Sequence, residues 1–183
     1  ASDVYKRQVD DCALVYSIIK GTDRKDHSVV DAPFQVPVKK ELKSLRIGFV
    51  ESAFNDSTTS DNDRNVVDRL RELGFTMVPI ELPEFPTNSL SFLLDVEAAA
   101  AFDEMTRNNR DDQLVRQVKR AWPNVFRSAR YVPAVEYVQA NRARVLLNQK
   151  MSSLFEKIDV YLVPSFYGDN LLRTNLTGHP CIV

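Results

Sequence analysis

Apolar residues along the chain recur in two rhythms, an alternation or short run that suits strands and a three-and-four spacing that suits helices. Leu45-Arg46-Ile47-Gly48-Phe49-Val50 reads as a strand. Ser60, followed three residues later by Asp63, has a capping-box form and opens a helix with Val66, Leu70 and Leu73 on one face, ended by Gly74. Phe75 to Ile80 then supplies a second strand, so residues 45–80 form a β-α-β unit with a right-handed crossover, and Pro79 assigns the second strand to an edge or strand end. Further along, Leu90, Leu94, Ala98, Ala101 and Met105 mark a helix over Asn88 to Thr106, whose alanine run at 98–101 permits close packing. A shorter helical piece spans Asp112 to Ala121, with Trp122 packing at its end and Pro123 closing it. The strongest periodicity starts at Pro133 and carries Ala140, Ala143, Leu147, Met151, Leu154 and Ile158 into a strand at Asp159 to Pro164. Nearer the start, Val9 to Lys20 reads as a helix with Asp10 and Asp11 in its first turn and Gly21 after it. Its Leu14, Val15, Ile18 and Ile19 cover more than one face, which predicts burial. The connection from Thr22 to Lys43 is polar, and Pro33 and Pro37 favour extended chain there. Helices alternating with strands predict an α/β fold, either one domain or part of one.

Composition narrows the function. The 183 residues are 44% hydrophobic and 27% charged, and 24 Lys and Arg stand against 25 Asp and Glu with no long run of one sign. That balance predicts neither nucleic acid nor an anionic membrane as a direct partner. Cys12 and Cys181 belong to no CxxC or Cys/His ligand pattern, which predicts no metal and no cofactor and suits a reducing, cytoplasmic compartment. Residues 1–8 read as an adaptor-like, non-native segment, and the chain stops on the strand-forming Cys181-Ile182-Val183. Both ends predict truncation, with residues 9–183 as the native part.

Four segments resemble the amidase-signature family, in its order. They are Val9 to Val15 with Gly21-Thr22-Asp23 and Lys25-Asp26-His27-Ser28; Leu45 to Val50; Glu97 to Phe102 with Asn141-Arg142-Ala143-Arg144; and Asp159 to Ser165 with Thr174-Asn175-Leu176-Thr177-Gly178-His179-Pro180. The resemblance implies a mixed sheet flanked by helices in an α/β/α arrangement, incomplete here, and a hydrolase of C–N amide bonds. In that family a serine nucleophile is activated by a bridging cis-serine and a lysine within a Gly-Gly-Ser-Ser-Gly-Gly loop and a preceding strand. Converging backbone N–H groups need closely spaced glycines, yet the five glycines at 21, 48, 74, 168 and 178 are isolated, and Ser152-Ser153 lies inside the strongest helix. No catalytic residue is therefore assigned, and the machinery is expected upstream of Val9, leaving this chain inactive alone.

The stretch after the last strand, with Ser165, Phe166, Tyr167 and Asn170, is the substrate-binding candidate, because loops following strands host ligands in α/β folds and the resemblance puts this one near the acyl pocket. The implied partner is a small-molecule amide, and a homodimer is compatible with it. Two alternatives stay open: an amidotransferase component that releases ammonia from glutamine, and a non-catalytic α/β ligand-binding domain. His179 and Cys181 sit two apart on one side of a supposed strand but lack a third orienting group. Arg142, Arg144 and Glu97 read as wet or structural charges, and His27 as solvated.

Overall fold

The computed structural model describes residues 8–25, 27, 29–34 and 42–181, in two units that divide at Leu42. Most of the adaptor-like segment, Asp26, Ser28, Pro37 and the final Ile182-Val183 lie outside the described residues.

In the first unit, helix α1 spans Val9–Ile19 with its acidic first turn as expected. Its predicted burial is overturned. Leu14 is 61% exposed and Ile18 73%, because the unit's described residues contain no other α-helix or strand to cover them. Tyr16 meets Phe34 edge to face, and Lys20 donates to the Ala32 carbonyl.

The second unit is built on three parallel strands in the order β2-β1-β3, namely β1 (Arg46–Val50), β2 (Thr76–Ile80) and β3 (Val160–Leu162). Helices flank the sheet, as an α/β class requires. Central β1 is buried from Ile47 to Val50, the continuous apolar run of a strand covered on both faces. On one face Phe49 packs with Phe54 of α2 (Glu51–Asn55) and Val67 of α3 (Asp61–Glu72). On the other, Val50, Ala53, Ile80 and Ile158 form the core with Leu154 and Phe155 at the end of α7 (Ala134–Phe155). Gly48 lets this layer close, since a Cβ there would stand 2.9 Å from Ile158 Cδ1 and 3.0 Å from Ile80 Cδ1. Arg46 fixes the handover from α7 to β3: its guanidinium donates to both Asp159 oxygens and to the Glu156 carbonyl.

Ser60 caps α3 by accepting from the Asp63 N–H at 3.2 Å and donating to the Asp63 carboxylate at 2.7 Å. The buried helix face is one position off the expected one: Val67 is enclosed while Val66 and Leu73 are each 46% exposed. One residue is about 100° of helix rotation, enough to exchange faces. Pro79 lies on β2, an outer strand among those described.

The helix expected over 88–106 is interrupted. A 3₁₀ turn at Thr87–Leu90 precedes α4 (Phe92–Ala101), and Phe102, at φ −104° and ψ 22°, breaks it from α5 (Asp103–Arg107). Leu93 and Ala99 are its buried residues, and Leu94, placed on the core face by periodicity, is 56% exposed. The expected 112–121 helix is also absent. Only a 3₁₀ turn at Arg110–Gln113 forms, and Pro123 opens α6 (Trp122–Ala129) where it was expected to close a helix. A proline tolerates the first turn, whose N–H has no intrahelical partner. Helix α7 buries Ala140, Leu147 and Met151 as its spacing predicts.

Candidate functional site

After β3 the chain turns through Ser165 and Phe166 into α8 (Asn170–Thr177), which ends on Gly178 in the left-handed conformation at φ 74°. His179 and Cys181 consequently lie beyond a helix and in no strand, contrary to the strand geometry assumed for them. The His179 ring stacks on Phe155, and its Nδ1 is 2.7 Å from the Thr177 hydroxyl oxygen.

A cavity of about 650 Å³ follows β3 from Asp159 to Val163 and is closed by Phe155, Asn170, Thr174 and the 179–181 segment. Its polar groups are organised. Buried Asn170 accepts a 2.7 Å hydrogen bond from the Tyr161 hydroxyl through Oδ1. Burial raises the Tyr161 phenol pKa above its usual value, with Arg173 pulling the other way. Arg173 is itself buried, with its side chain 5% exposed, and ties α8 to the segment that follows β2. One guanidinium nitrogen donates to the Pro83 carbonyl at 2.9 Å and the other to Asp169 at 3.1 Å, while Nε has no hydrogen-bond partner.

The four residues proposed from sequence take different positions. Asn170 lines this cavity, and Ser165 and Phe166 line an adjoining space of about 50 Å³ that shares Val163, Asn170 and Cys181 with it. Phe166, 78% exposed, adopts φ 61°, an uncommon backbone for a bulky residue. Tyr167 packs against the Val50, Ile80 and Ile158 core. Sequence reasoning missed Tyr161, Thr174 and Arg173. Thr174 lay inside a quoted motif, but only the helical path of 170–177 turns it and Asn170 toward one cavity.

Two of the charges read from sequence as wet or structural, Glu97 and Arg144, meet on the helices. Glu97 accepts from the Tyr137 hydroxyl at 3.2 Å and stands 4.0 Å from Arg144. His27 is exposed. Among the described residues no His, Cys, Asp and Glu group could hold a metal ion, and no helix is long and apolar enough to cross a membrane.

A parallel sheet between helices, with a ligand-sized cavity at the end of a strand, is an arrangement shared by many α/β enzymes and binding proteins. The sequence pattern of the amidase family matches residues 4–177, and the chain belongs to that family. It is 27% identical to the A component of the glutamyl-tRNA(Gln) amidotransferase of Rippkaea orientalis over 88% of this chain and 39% of that protein. It is 26% identical to an amidase of Pseudomonas putida over 87% and 35%, and 25% identical to the A component of the glutamyl-tRNA(Gln) amidotransferase of Prochlorococcus marinus over 97% and 46%. The chain thus spans less than half the length of these relatives.

Proposed function

We infer that this chain is a later portion of a longer cytoplasmic amidase that hydrolyses a C–N amide bond of a small molecule. The observation that carries this reading is the family match over residues 4–177 combined with coverage of only 35–46% of the relatives' lengths. The serine nucleophile, cis-serine and lysine then belong to sequence upstream of Val9, in keeping with the isolated glycines of this chain. Asn170, with Ser165 and Phe166 in the space beside it, contributes one wall of the acyl pocket: held by the Tyr161 hydroxyl, it offers its amide N–H₂ for orienting a substrate carbonyl.

The 183-residue chain, assayed for ammonia release from glutamine and a panel of aliphatic and aromatic amides, is expected to match the blank. Joined to its upstream sequence it is expected to turn over, and Asn170→Ala in that longer protein should raise KM more than it lowers kcat. Turnover by the 183-residue chain itself would overturn the reading. The names of the amidotransferase relatives favour a second reading, ammonia release from glutamine within a complex. Activity on glutamine alone among the amides would select it.

A further inference from the structure

His179 lines the cavity beside β3 together with Asn170, and its neighbours fix the state of its ring. Its Nδ1 lies 2.7 Å from the Thr177 hydroxyl oxygen, a contact in which either group can supply the proton. Thr177 decides between them. Its hydroxyl donates to the Arg173 carbonyl at 2.9 Å, with the Thr174 carbonyl at 3.4 Å, and carbonyl oxygens only accept. A hydroxyl has a single hydrogen, so toward His179 the Thr177 oxygen accepts and Nδ1 carries the proton. In the neutral ring Nε2 is then the bare nitrogen, an acceptor.

The ring's surroundings leave that acceptor to the cavity. One face stacks on Phe155 with centroids 4.6 Å apart and the Nδ1 side is held by Thr177, so the Nε2 side remains for the space that His179 lines. No hydrogen bond reaches Nε2 among the described residues. Other polar groups of the lining are engaged: Asp159 by the Arg46 guanidinium, the Tyr161 hydroxyl by Asn170, and the Thr174 hydroxyl by the Leu171 carbonyl. Asn170 Oδ1 is taken by Tyr161, and its N–H₂ is the donor of the wall. A donor on Asn170 and an acceptor on His179 complement an amide, which presents a carbonyl and an N–H. An ester presents the carbonyl alone.

We propose that His179 is a specificity-determining residue of this pocket: fixed by Thr177 as the Nδ1–H tautomer, it accepts the substrate's amide N–H at Nε2 and so favours amides over esters. The proposal rests on the reading of this cavity as part of the amide site and adds to it the group that senses the nitrogen. A missing N–H would leave Nε2 unpaired in a half-buried ring, which is how a polar site rejects an analogue lacking the donor.

The chain has two histidines, and His27→Gln, at an exposed position, leaves His179 as the one imidazole for nitrogen-15 NMR. The 183-residue chain is examined at about pH 8, where free imidazole is neutral. Nδ1 is expected at the protonated shift and Nε2 at the bare one. Thr177→Val should draw the two shifts together, and Thr177→Ser should restore them. Benzamide should move the Nε2 resonance saturably, and methyl benzoate should not. His179→Phe, which keeps a ring against Phe155, should weaken benzamide binding about twofold to tenfold, the scale of one hydrogen bond, and leave methyl benzoate binding unchanged. Asn170→Ala should weaken both ligands, since both carry the carbonyl. A proton on Nε2 in place of Nδ1 overturns the proposal, as does an equal change for the two ligands in His179→Phe while Asn170→Ala still weakens both. If benzamide does not bind, or Asn170→Ala alters neither ligand, the reading of the cavity as an amide site falls and the role of His179 falls with it.

Discussion

The sheet and the α4–α6 region of the larger unit bury apolar residues to opposite effect. Around the sheet, alternate residues of β1 feed two separate clusters, and Val50 and Ile158 are 2% and 1% exposed. In the helical region, Ala99, Phe126 and Ala129 form one cluster, and the next shell, from Leu94 to Trp122, stays half open. The cavities follow suit. The one beside β3 has the Tyr161–Asn170 hydrogen bond at its wall, and the helical one, about 410 Å³ between α4, α5 and α6, has no polar side chain at all. A closed core can aim polar groups because its side chains sit in fixed rotamers, whereas an open apolar wall discriminates chiefly by hydrophobic area.

The contrast is most severely tested by truncating one residue from each region. Ile158→Ala removes a side chain packed between two strands and should cost about 2–5 kcal/mol, read as a lower denaturation midpoint. Arg173→Met should come next, at about 1–3 kcal/mol, because it strands the Pro83 carbonyl and Asp169; thermal melting checks it, and restoration by Arg173→Lys of less than half the loss would reflect the need for two donating nitrogens. Leu94→Ala, at the mouth of the helical cavity, should change stability by no more than about 0.5 kcal/mol. A loss comparable to that of Ile158→Ala would erase the distinction between the regions. The smallest effect concerns acid. The hydrogen bond from Arg107 holds the Asp103 carboxyl below its usual pKa, with Arg107 and Arg130 attracting it further. A group depressed in the folded state stabilises above its unfolded pKa, about 3.9, and that contribution disappears as pH falls through the folded value. Asp103→Asn should therefore flatten a slight loss of stability below about pH 4, followed by melting at stepped pH.

Much of the sheet was legible because period-two runs and the Ser60 cap are local signals, and α7 was legible because 22 residues of consistent spacing leave little ambiguity. The break at Phe102 was not legible: no glycine or proline marks it, and the helix yields where Phe102 stacks on Phe126 of another helix. Pro123 misled because the same ring that stops one helix starts another. At the candidate site, the loop after β3 announced itself through the strand before it, which is how Asn170 was found. Arg173 and Tyr161 depend on a helix whose motif residues gave no periodic cue, so the partnership of α8 with β3 could emerge only from tertiary structure.

The two outer strands of the described sheet are unequal. Proline at position 79 lacks an N–H, so β2 offers a newcomer an interrupted row of donors, whereas β3 contains no proline from Val160 to Leu162. That asymmetry makes the outer edge of β3 better supplied with backbone donors than that of β2. The cavity lies along that same strand, so the better-supplied edge and the candidate pocket share β3.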